Sequence, residues 1–247
     1  MTHPDLARAA KAARVRAMFG RIAPRYDLMN ALMTAGLDRR WRRLAADAAR
    51  PAGALALDLA TGTGDLARAL AAAGARRVVA VDFTPAMLAA ARRKIGADGA
   101  ARGRVALCAG DALRLPFADG AFDCAANGFL LRNVADLPRT LAELHRVLAP
   151  GGRLCCLELT PPPRWFAPAF RLYFDGLVPL VGALVAGDLA AYRYLPASLR
   201  PFPRARTLAR MLAAVGFAEV RYRRLGLGTV ALHIAVKPAR DDLPRER

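Results

Sequence analysis

The sequence predicts a doubly wound α/β fold, in which a mostly parallel sheet carries helices on both faces. Between residues 54 and 158, short apolar runs of strand length alternate with amphipathic segments of helical length. The 247 residues are also 55% hydrophobic, which is enough to enclose a large core and excludes a disordered or fibrous chain. Such an alternation of strands and helices is typical of parallel sheets.

The expected elements follow one another in a regular order. Five apolar runs are predicted as strands and lie at residues 54–59, 77–82, 105–108, 122–127 and 154–158. Three amphipathic segments between them are predicted as helices and lie at residues 65–73, 85–95 and 137–148. Nearer the C-terminus, a helix and two β segments that should form a hairpin lie at residues 207–215, 219–224 and 229–236.

Helical segments are expected on both sides of the first five strands. Residues 5–48 have a helical pattern, and Asp38 is a possible N-terminal cap for a helix over residues 39–48. The helix-breaking run Pro161-Pro162-Pro163 follows the fifth strand. Beyond it, residues 165–200 are rich in aromatic and apolar residues and contain few turn signals, so they are predicted to form inserted helices.

The chain is strongly basic, with 38 Lys and Arg against 20 Asp and Glu and a formal net charge of +18. Such an excess attracts nucleic acid, anionic membranes or acidic ligands, although an arginine-rich and alanine-rich composition explains it equally well. The arginines are spread along the chain without a groove-reading motif, so we do not expect a nucleic-acid partner. The most apolar late stretch, residues 177–187, is too short to span a bilayer, and we expect a cytoplasmic protein, soluble or peripheral.

A glycine-rich turn, Asp58-Leu59-Ala60-Thr61-Gly62-Thr63-Gly64, follows the first predicted strand. Glycine lets the backbone approach a ligand closely, and open α/β sheets bind ligands at this end of their strands. Ala67 stands where a dinucleotide fingerprint has its third glycine, and Asp65 would repel a pyrophosphate. The turn therefore favours S-adenosylmethionine, whose sulfonium and amino groups are cationic, over NAD.

Two further acidic residues follow the next two strands. Asp82 ends the second strand, where a carboxylate can accept both hydroxyls of a ribose. Asp111 follows the third strand and can accept the adenine amino group, while Ala112 can offer its backbone N–H. Each acid alone is equally well explained as a helix cap. Three such signals at successive strand ends favour one adenosyl cofactor.

Motifs spread over residues 15–236 resemble a known family. The most specific are Tyr26-Asp27-Leu28-Met29-Asn30, Leu131-Arg132-Asn133 and Tyr192-Arg193-Tyr194-Leu195, whereas Pro150-Gly151-Gly152 is more widespread. The chain resembles the class I methyltransferases of the ubiquinone/menaquinone biosynthesis C-methyltransferase type. The resemblance implies a Rossmann-like, mostly parallel seven-stranded sheet with an antiparallel C-terminal strand, N-terminal helices and a helical insertion.

The resemblance also implies an activity and its ligands. It implies methyl transfer from S-adenosylmethionine, which becomes S-adenosylhomocysteine, to a ring carbon of a prenylated quinol, and it implies no metal. Demethylmenaquinol is the first expected acceptor and a methoxy-benzoquinol the second. Gly128 replaces a usual serine and Leu130 a usual glycine, which leaves the exact acceptor open. The turn and the matched family positions give these cofactor-binding residues: Asp58, Gly62, Thr63, Gly64, Asp82, Asp111, Ala112 and Gly128.

Candidate catalytic residues come from three separate segments. They are Arg132 and Asn133 after the fourth strand, Tyr26 in the N-terminal segment and Tyr194 in the insertion. Arg132 can stabilise a developing quinolate oxygen, and Tyr192 is a further candidate beside Tyr194. Arg132 and Asn133 can equally form a structural tie at a strand end, and the tyrosines can equally be ordinary packing residues.

We expect a single domain over residues 1–247. Its expected parts are an N-terminal helical cap (1–50), a cofactor-binding core (51–160), a helical insertion or lid (161–203), a C-terminal helix with strands (204–237) and a tail (238–247). Aromatic and basic residues of the insertion suit either contact with an anionic membrane on its inner face or a cap over the active site. The sequence leaves three alternatives open: another hydrophobic acceptor, a non-catalytic cofactor-binding subunit of a quinone-biosynthesis assembly, and a homodimer.

Overall fold

The computed structural model describes residues 3–239, in which seven strands form one sheet of order β3-β2-β1-β4-β5-β7-β6. The strands are β1 Leu55–Leu59, β2 Arg77–Asp82, β3 Val105–Ala109, β4 Phe122–Gly128, β5 Leu148–Leu159, β6 Ala218–Leu225 and β7 Val230–Val236. The first five strands are parallel to one another, and β7 runs antiparallel to both β5 and β6. The predicted sheet and its C-terminal hairpin are confirmed. Residues 240–247 of the predicted tail lie outside the described residues.

Helices cover both faces of the sheet and extend beyond one end of it. They are α1 His3–Ile22, α2 Tyr26–Thr34, α3 Leu37–Ala49, α4 Asp65–Ala72, α5 Pro85–Gly96, α6 Leu137–Val147, α7 Ala167–Ala186, α8 Leu189–Leu199 and α9 Ala205–Ala214. Alternate residues of β1 enter different cores, since Leu57 packs in one apolar cluster and Ala56 in the other. The sheet is therefore buried on both sides, as a doubly wound fold requires.

The helical insertion packs against the N-terminal helices. The Tyr173 hydroxyl donates a hydrogen bond to the Met33 carbonyl oxygen over 2.6 Å, which joins α7 to α2. Arg21 at the end of α1 forms an ion pair of 2.9 Å with Asp188, which caps α8. These contacts connect segments about 150 residues apart in the chain and enclose a space next to the sheet.

Helix α7 is longer than the sequence analysis expected. It has 20 residues and a mean hydropathy of 1.5, so by length and composition it could cross a membrane, and the expectation of a segment too short to do so is wrong. That expectation counted only the uninterrupted apolar run, whereas the helix continues back through Asp175 and Arg171. Phe170 and Phe174 pack into the core, so α7 lies along the domain with its other face exposed.

The N-terminus of α3 also differs from its prediction. Gly36, with a φ of 75°, is the residue that precedes the helix, which begins at Leu37. Asp38 is therefore not the cap. It lies in the first turn of α3, where its side chain is buried.

Gly182 in α7 allows the ring of Tyr192 to pack directly against the helix backbone. A Cβ atom at position 182 would overlap that ring and lie 2.6 Å from the Cβ of Tyr192. We predict that Gly182→Ala lowers the free energy of unfolding by about 1–3 kcal/mol, because overpacking forces neighbouring side chains to move. Urea unfolding followed by circular dichroism measures the change.

Gly176→Ala in the same helix is the matched control, because a Cβ there meets no atom within 4 Å. This variant should keep or slightly raise the free energy of unfolding, since alanine favours helix by up to ~1 kcal/mol over glycine. Equal unfolding midpoints for the two variants would contradict the prediction.

Candidate active site

A cavity of about 780 Å³ opens at the carboxyl ends of β1, β2 and β4. Five of the eight predicted cofactor residues line it: Gly62, Asp82, Asp111, Ala112 and Gly128. The cavity therefore lies where open α/β sheets bind ligands. The other three predicted residues, Asp58, Thr63 and Gly64, belong to the same turn but do not line the cavity.

Asp82 fixes the glycine-rich turn against the end of β2. Its Oδ2 accepts a hydrogen bond of 2.8 Å from the Gly62 N–H, and its Oδ1 accepts one of 2.8 Å from the Thr84 N–H. Each carboxylate oxygen keeps a further lone pair for a ligand at the cavity. Burial raises the pKa of Asp82, although the backbone N–H groups oppose that effect. Gly62 itself has a φ of 55°, a conformation that favours glycine.

Asp58 is fully buried beneath the same turn. Its Oδ2 accepts a hydrogen bond of 2.6 Å from the Thr61 hydroxyl, while its Oδ1 has no hydrogen-bond partner. Burial raises the pKa of Asp58 to about 7 against the opposing effects of Thr61 and the Arg42 guanidinium. A cationic group bound near the turn would favour the ionised form of this carboxyl, because opposite charges attract strongly away from water.

Asp65 does not face the cavity with a free charge, contrary to the sequence argument. Its carboxylate pairs with Lys94 at 2.7 Å and with Arg68 at 3.5 Å. The Thr63 hydroxyl is engaged nearby, since it donates to Asp27 Oδ1 over 2.6 Å. The positive charge of Lys94 compensates Asp65, so that step of the argument for a cationic ligand is wrong.

A second cavity of about 910 Å³ lies between the N-terminal helices, the insertion and the ends of β5 and β7. Apolar and aromatic side chains form most of its wall, among them Met18, Ile22, Trp41, Phe170 and Phe174. Three aromatic residues line both cavities, and these are Phe19, Tyr26 and Phe129. The two cavities are therefore neighbours at this aromatic junction.

Arg132 and Asn133 hold the backbone of Phe129. Arg132 forms a buried ion pair with Glu158 and donates to the Phe129 carbonyl oxygen over 3.1 Å. Asn133 Nδ2 donates to the same oxygen over 2.9 Å. Arg132 lines the second cavity and Asn133 the first, and Arg132 Nε and Asn133 Oδ1 have no hydrogen-bond partner. The two residues form the structural tie and also reach both cavities.

The two candidate tyrosines of the insertion lie in different surroundings. Tyr192 lines the second cavity, is only 2% exposed, and has a hydroxyl without a hydrogen-bond partner. Burial raises the pKa of Tyr192 to about 12, so its hydroxyl stays protonated and available as a donor. The Tyr194 hydroxyl is also buried without a partner, but Tyr194 lines neither cavity. Of the two candidate tyrosines of the insertion, Tyr192 is thus the one that lines a cavity.

The sequence analysis did not predict that Arg42 lies beside Phe129 and Gly128. Its guanidinium is buried and lies 5.4 Å from the centre of the Phe129 ring, which Arg132 approaches to 5.8 Å. Arg42 Nη1 is 3.2 Å from the position that a Cβ at Gly128 would occupy. The guanidinium thus lies directly beside the position where the family usually has serine. The sequence did contain a pattern that indicates burial of Arg42. Asp38 and Arg42 are charged residues four apart on the otherwise apolar face of α3.

Residues 7–237 match the sequence profile of the ubiE/COQ5 methyltransferase family. The chain belongs to this family. A demethylmenaquinone methyltransferase from Thermus thermophilus is 51% identical over 225 residues, which cover 90% of this chain and 100% of that protein. The ubiquinone/menaquinone biosynthesis C-methyltransferase UbiE from Desulfotalea psychrophila is 43% identical over 231 residues, 92% of each chain.

A solved structure agrees with the fold. A SAM-dependent methyltransferase from Thermotoga maritima, described as a possible histamine N-methyltransferase, has a TM-score of 0.62 and covers 90% of this chain and 99% of its own. At 19% identity that likeness supports the fold alone. The family shows that this protein is a methyltransferase, which confirms the resemblance found in the sequence, and it implies the use of S-adenosylmethionine.

The ion pair between Arg132 and Glu158 is buried on both sides, with side chains 6% and 1% exposed. We predict that Glu158→Met lowers the free energy of unfolding by about 3–5 kcal/mol, because it leaves a buried guanidinium without its counter-charge. The double variant Arg132→Met/Glu158→Met should recover part of that loss. Urea unfolding of the three proteins measures both effects.

Asp119→Asn provides the comparison at an exposed ion pair, because the Asp119 side chain that pairs with Arg146 is 81% exposed. Its loss should cost about 0–1 kcal/mol at most, since water screens such pairs. A double variant no more stable than Glu158→Met would refute the prediction for the buried pair.

Proposed function

We propose that this methyltransferase transfers the methyl group of S-adenosylmethionine to a ring carbon of a prenylated quinol, with demethylmenaquinol as the preferred acceptor. The observation that carries this proposal is the second, mostly apolar cavity, which meets the first at Phe19, Tyr26 and Phe129. An aromatic ring with an isoprenoid tail suits such a wall. The names of the relatives support the same acceptor class.

We assign the cofactor to the first cavity. Asp82 would accept the ribose hydroxyls, and Asp111 and Ala112 would bind the adenine ring. The methionine end would lie along Gly62 and Gly128, at the end of the cavity nearest the aromatic junction. Asp58 does not line the cavity, but the nearby cationic amino group would favour its ionised form, while Thr63 and Gly64 would hold the turn in shape. Bound there, the cofactor supplies an electrophilic methyl group on a cationic sulfur.

We assign the quinol ring to the second cavity. Two unpartnered polar atoms of residues in its wall, Arg132 Nε and the Tyr192 hydroxyl, suit the oxygen atoms of the ring. Arg132 would stabilise the negative charge that develops on a ring oxygen as the ring carbon attacks. Tyr26 would hold the ring at the junction, and Asn133 would keep the Phe129 backbone in position. We propose no contact between Tyr194 and the acceptor, because Tyr194 lines neither cavity.

The main task of the protein in this reaction is then to hold the ring carbon in line with the methyl group. The ring carbon forms a bond to the methyl carbon, the bond from sulfur to that carbon breaks, and sulfur keeps the electron pair. A ring proton leaves to water and restores aromaticity. Holding the two reactants in line at the aromatic junction can supply about 7–11 kcal/mol of the required acceleration. The aromatic wall also excludes water, which would otherwise compete for the charged groups.

The test measures transfer of a labelled methyl group to demethylmenaquinol and to a methoxy-benzoquinol that lacks the ring methyl. We expect turnover of demethylmenaquinol and slower turnover of the benzoquinol. Cofactor binding without transfer to either quinol would reject the proposal and favour another hydrophobic acceptor or a non-catalytic subunit. Deletion of the gene should, in addition, lead to a quinone that lacks one ring methyl, detected by its mass.

We further propose that α7 rests on an anionic membrane surface on the cytoplasmic side. Its outer face exposes Leu172 at 79%, Leu184 at 77% and also Leu177 and Leu180, while its inner face lines the second cavity. The exposed Arg164 and Arg171 suit anionic headgroups. A prenyl tail could then pass from the lipid to the cavity beside the same helix.

We predict that Leu172→Ser and Leu184→Ser each weaken sedimentation with phosphatidylglycerol vesicles by about 10-fold, because each exposed leucine would contribute ~1.5 kcal/mol in lipid. Leu6→Ser is the control, since Leu6 is 53% exposed on α1. Equal sedimentation of all three variants and the parent would reject the membrane contact. A dimer that dissociates on Leu184→Ser, seen by analytical ultracentrifugation, would assign the face to a second copy instead.

A further inference from the structure

Asp38 is a buried carboxylate in the wall of the second cavity. It is 4% exposed and lies opposite the insertion, on the first turn of α3. Among the described residues that line this cavity, it is the acidic one. A carboxylate that is removed from water is costly unless hydrogen-bond donors or a counter-charge replace the water.

The surroundings of Asp38 provide fewer hydrogen-bond donors than its carboxylate can accept. Its Oδ1 is 3.2 Å from the Thr34 hydroxyl, but the same hydroxyl is only 2.8 Å from the Asn30 carbonyl oxygen and has a single proton to donate. Its Oδ2 is 3.7 Å from Arg42 Nε, which is beyond hydrogen-bond length. Arg42 Nε itself has no hydrogen-bond partner. The nearby guanidinium therefore stabilises the charge of Asp38 and leaves its oxygen atoms short of donors.

Several other polar groups around this cavity are donors or are already engaged. The Tyr173 hydroxyl donates to Met33, and burial raises the pKa of both Tyr173 and Tyr192, so both phenols stay protonated. Glu158 is bound to Arg132 at the end of β5. Asp38 is thus the charged acceptor with free capacity among the described residues of this wall, beside the neutral amide of Asn30, and a ligand that fits this cavity should present a hydroxyl to it.

We propose that Asp38 binds a hydroxyl of the acceptor ring and thereby selects the reduced quinol over the oxidised quinone. This inference rests on the proposed function. A quinol hydroxyl can donate to the carboxylate, whereas a quinone carbonyl has only lone pairs and would face the carboxylate with repulsion. The cavity therefore discriminates by the direction of one hydrogen bond, which is more selective than a difference in apolar volume.

The same contact would take part in the reaction. As the ring carbon bonds to the methyl group, the hydroxyl proton passes to Asp38, and the electron pair of the O–H bond moves into the ring. The ring proton then leaves to water, and Asp38 returns its proton to the ring oxygen. The sum is one methyl group gained and one proton released, without any oxidant. A two-electron reduction of the quinone must therefore precede this step.

The test uses the two tryptophans of the chain. Trp41 lines the second cavity, whereas Trp165 is 72% exposed, so Trp165→Phe leaves Trp41 as the fluorescent reporter. In this background, with S-adenosylhomocysteine present and oxygen excluded, short-tailed demethylmenaquinol and its quinone are titrated. The parent should bind the quinol about 10-fold or more tightly than the quinone, as expected for a hydrogen bond to a charged acceptor.

Asp38→Asn should remove this preference, because an amide can accept from a hydroxyl and can also donate to a carbonyl. Its kcat should fall more than its KM for the quinol rises, since the proton acceptor is lost while the amide still binds the ring. Asp47→Asn, an exposed aspartate of the same helix, is the matched control and should behave as the parent. Asp38→Ser carries the same test if the asparagine variant does not fold.

Three outcomes separate the two proposals. A parent that binds quinol and quinone equally, or an Asp38→Asn variant that keeps the preference and the kcat of the parent, would overturn the inference while leaving the proposed function intact. A parent that transfers methyl to no quinol would reject the proposed function itself. Loss of the preference in Asp38→Asn, together with its retention in Asp47→Asn, would support the role of Asp38.

Discussion

Phe129 has a left-handed backbone conformation, with a φ of 60°, at the point where the two cavities meet. Such a conformation is uncommon for a bulky residue and persists only where neighbours hold it. Here its carbonyl oxygen accepts from both Arg132 and Asn133, its N–H donates to Leu157, and Glu158 holds Arg132 in turn. The border between the two cavities therefore depends on one buried ion pair at the ends of β4 and β5.

The two cavities differ in which parts of the fold form them. The carboxyl ends of the parallel strands provide the first cavity, as the topology of a doubly wound sheet dictates. The second cavity has no such general origin, since its wall combines the N-terminal helices, the insertion and the end of the hairpin. The sheet-end residues of the first cavity are thus positioned by the strands that they follow, whereas the wall of the second cavity joins helices far apart in sequence.

This difference explains what could be predicted from the sequence. Asp82, Asp111 and Gly62 could be found because each follows its own strand, and the strand pattern alone brings these positions to one edge. Asp38 was instead interpreted as a helix cap, because its role depends on Thr34, Arg42 and an insertion more than 120 residues away. The length of α7 was missed for a similar reason: Asp175 interrupts the apolar run but not the helix. The motif also does not reveal which of Tyr192 and Tyr194 lines a cavity, because that depends on how the helix packs against its neighbours.

The ties between the insertion and the N-terminal helices have a consequence for the timing of catalysis. Tyr173 joins α7 to α2, and the ion pair of Arg21 and Asp188 joins α1 to α8, so each N-terminal helix would move together with the insertion helix that it contacts. Loading of the hydrophobic acceptor and departure of the methylated product would then share a single opening motion relative to the sheet. Because α1 also contributes Phe19 to the wall of the first cavity, the same motion would expose the cofactor. Exchange of the two ligands would therefore be coupled mechanically rather than occurring through independent gates.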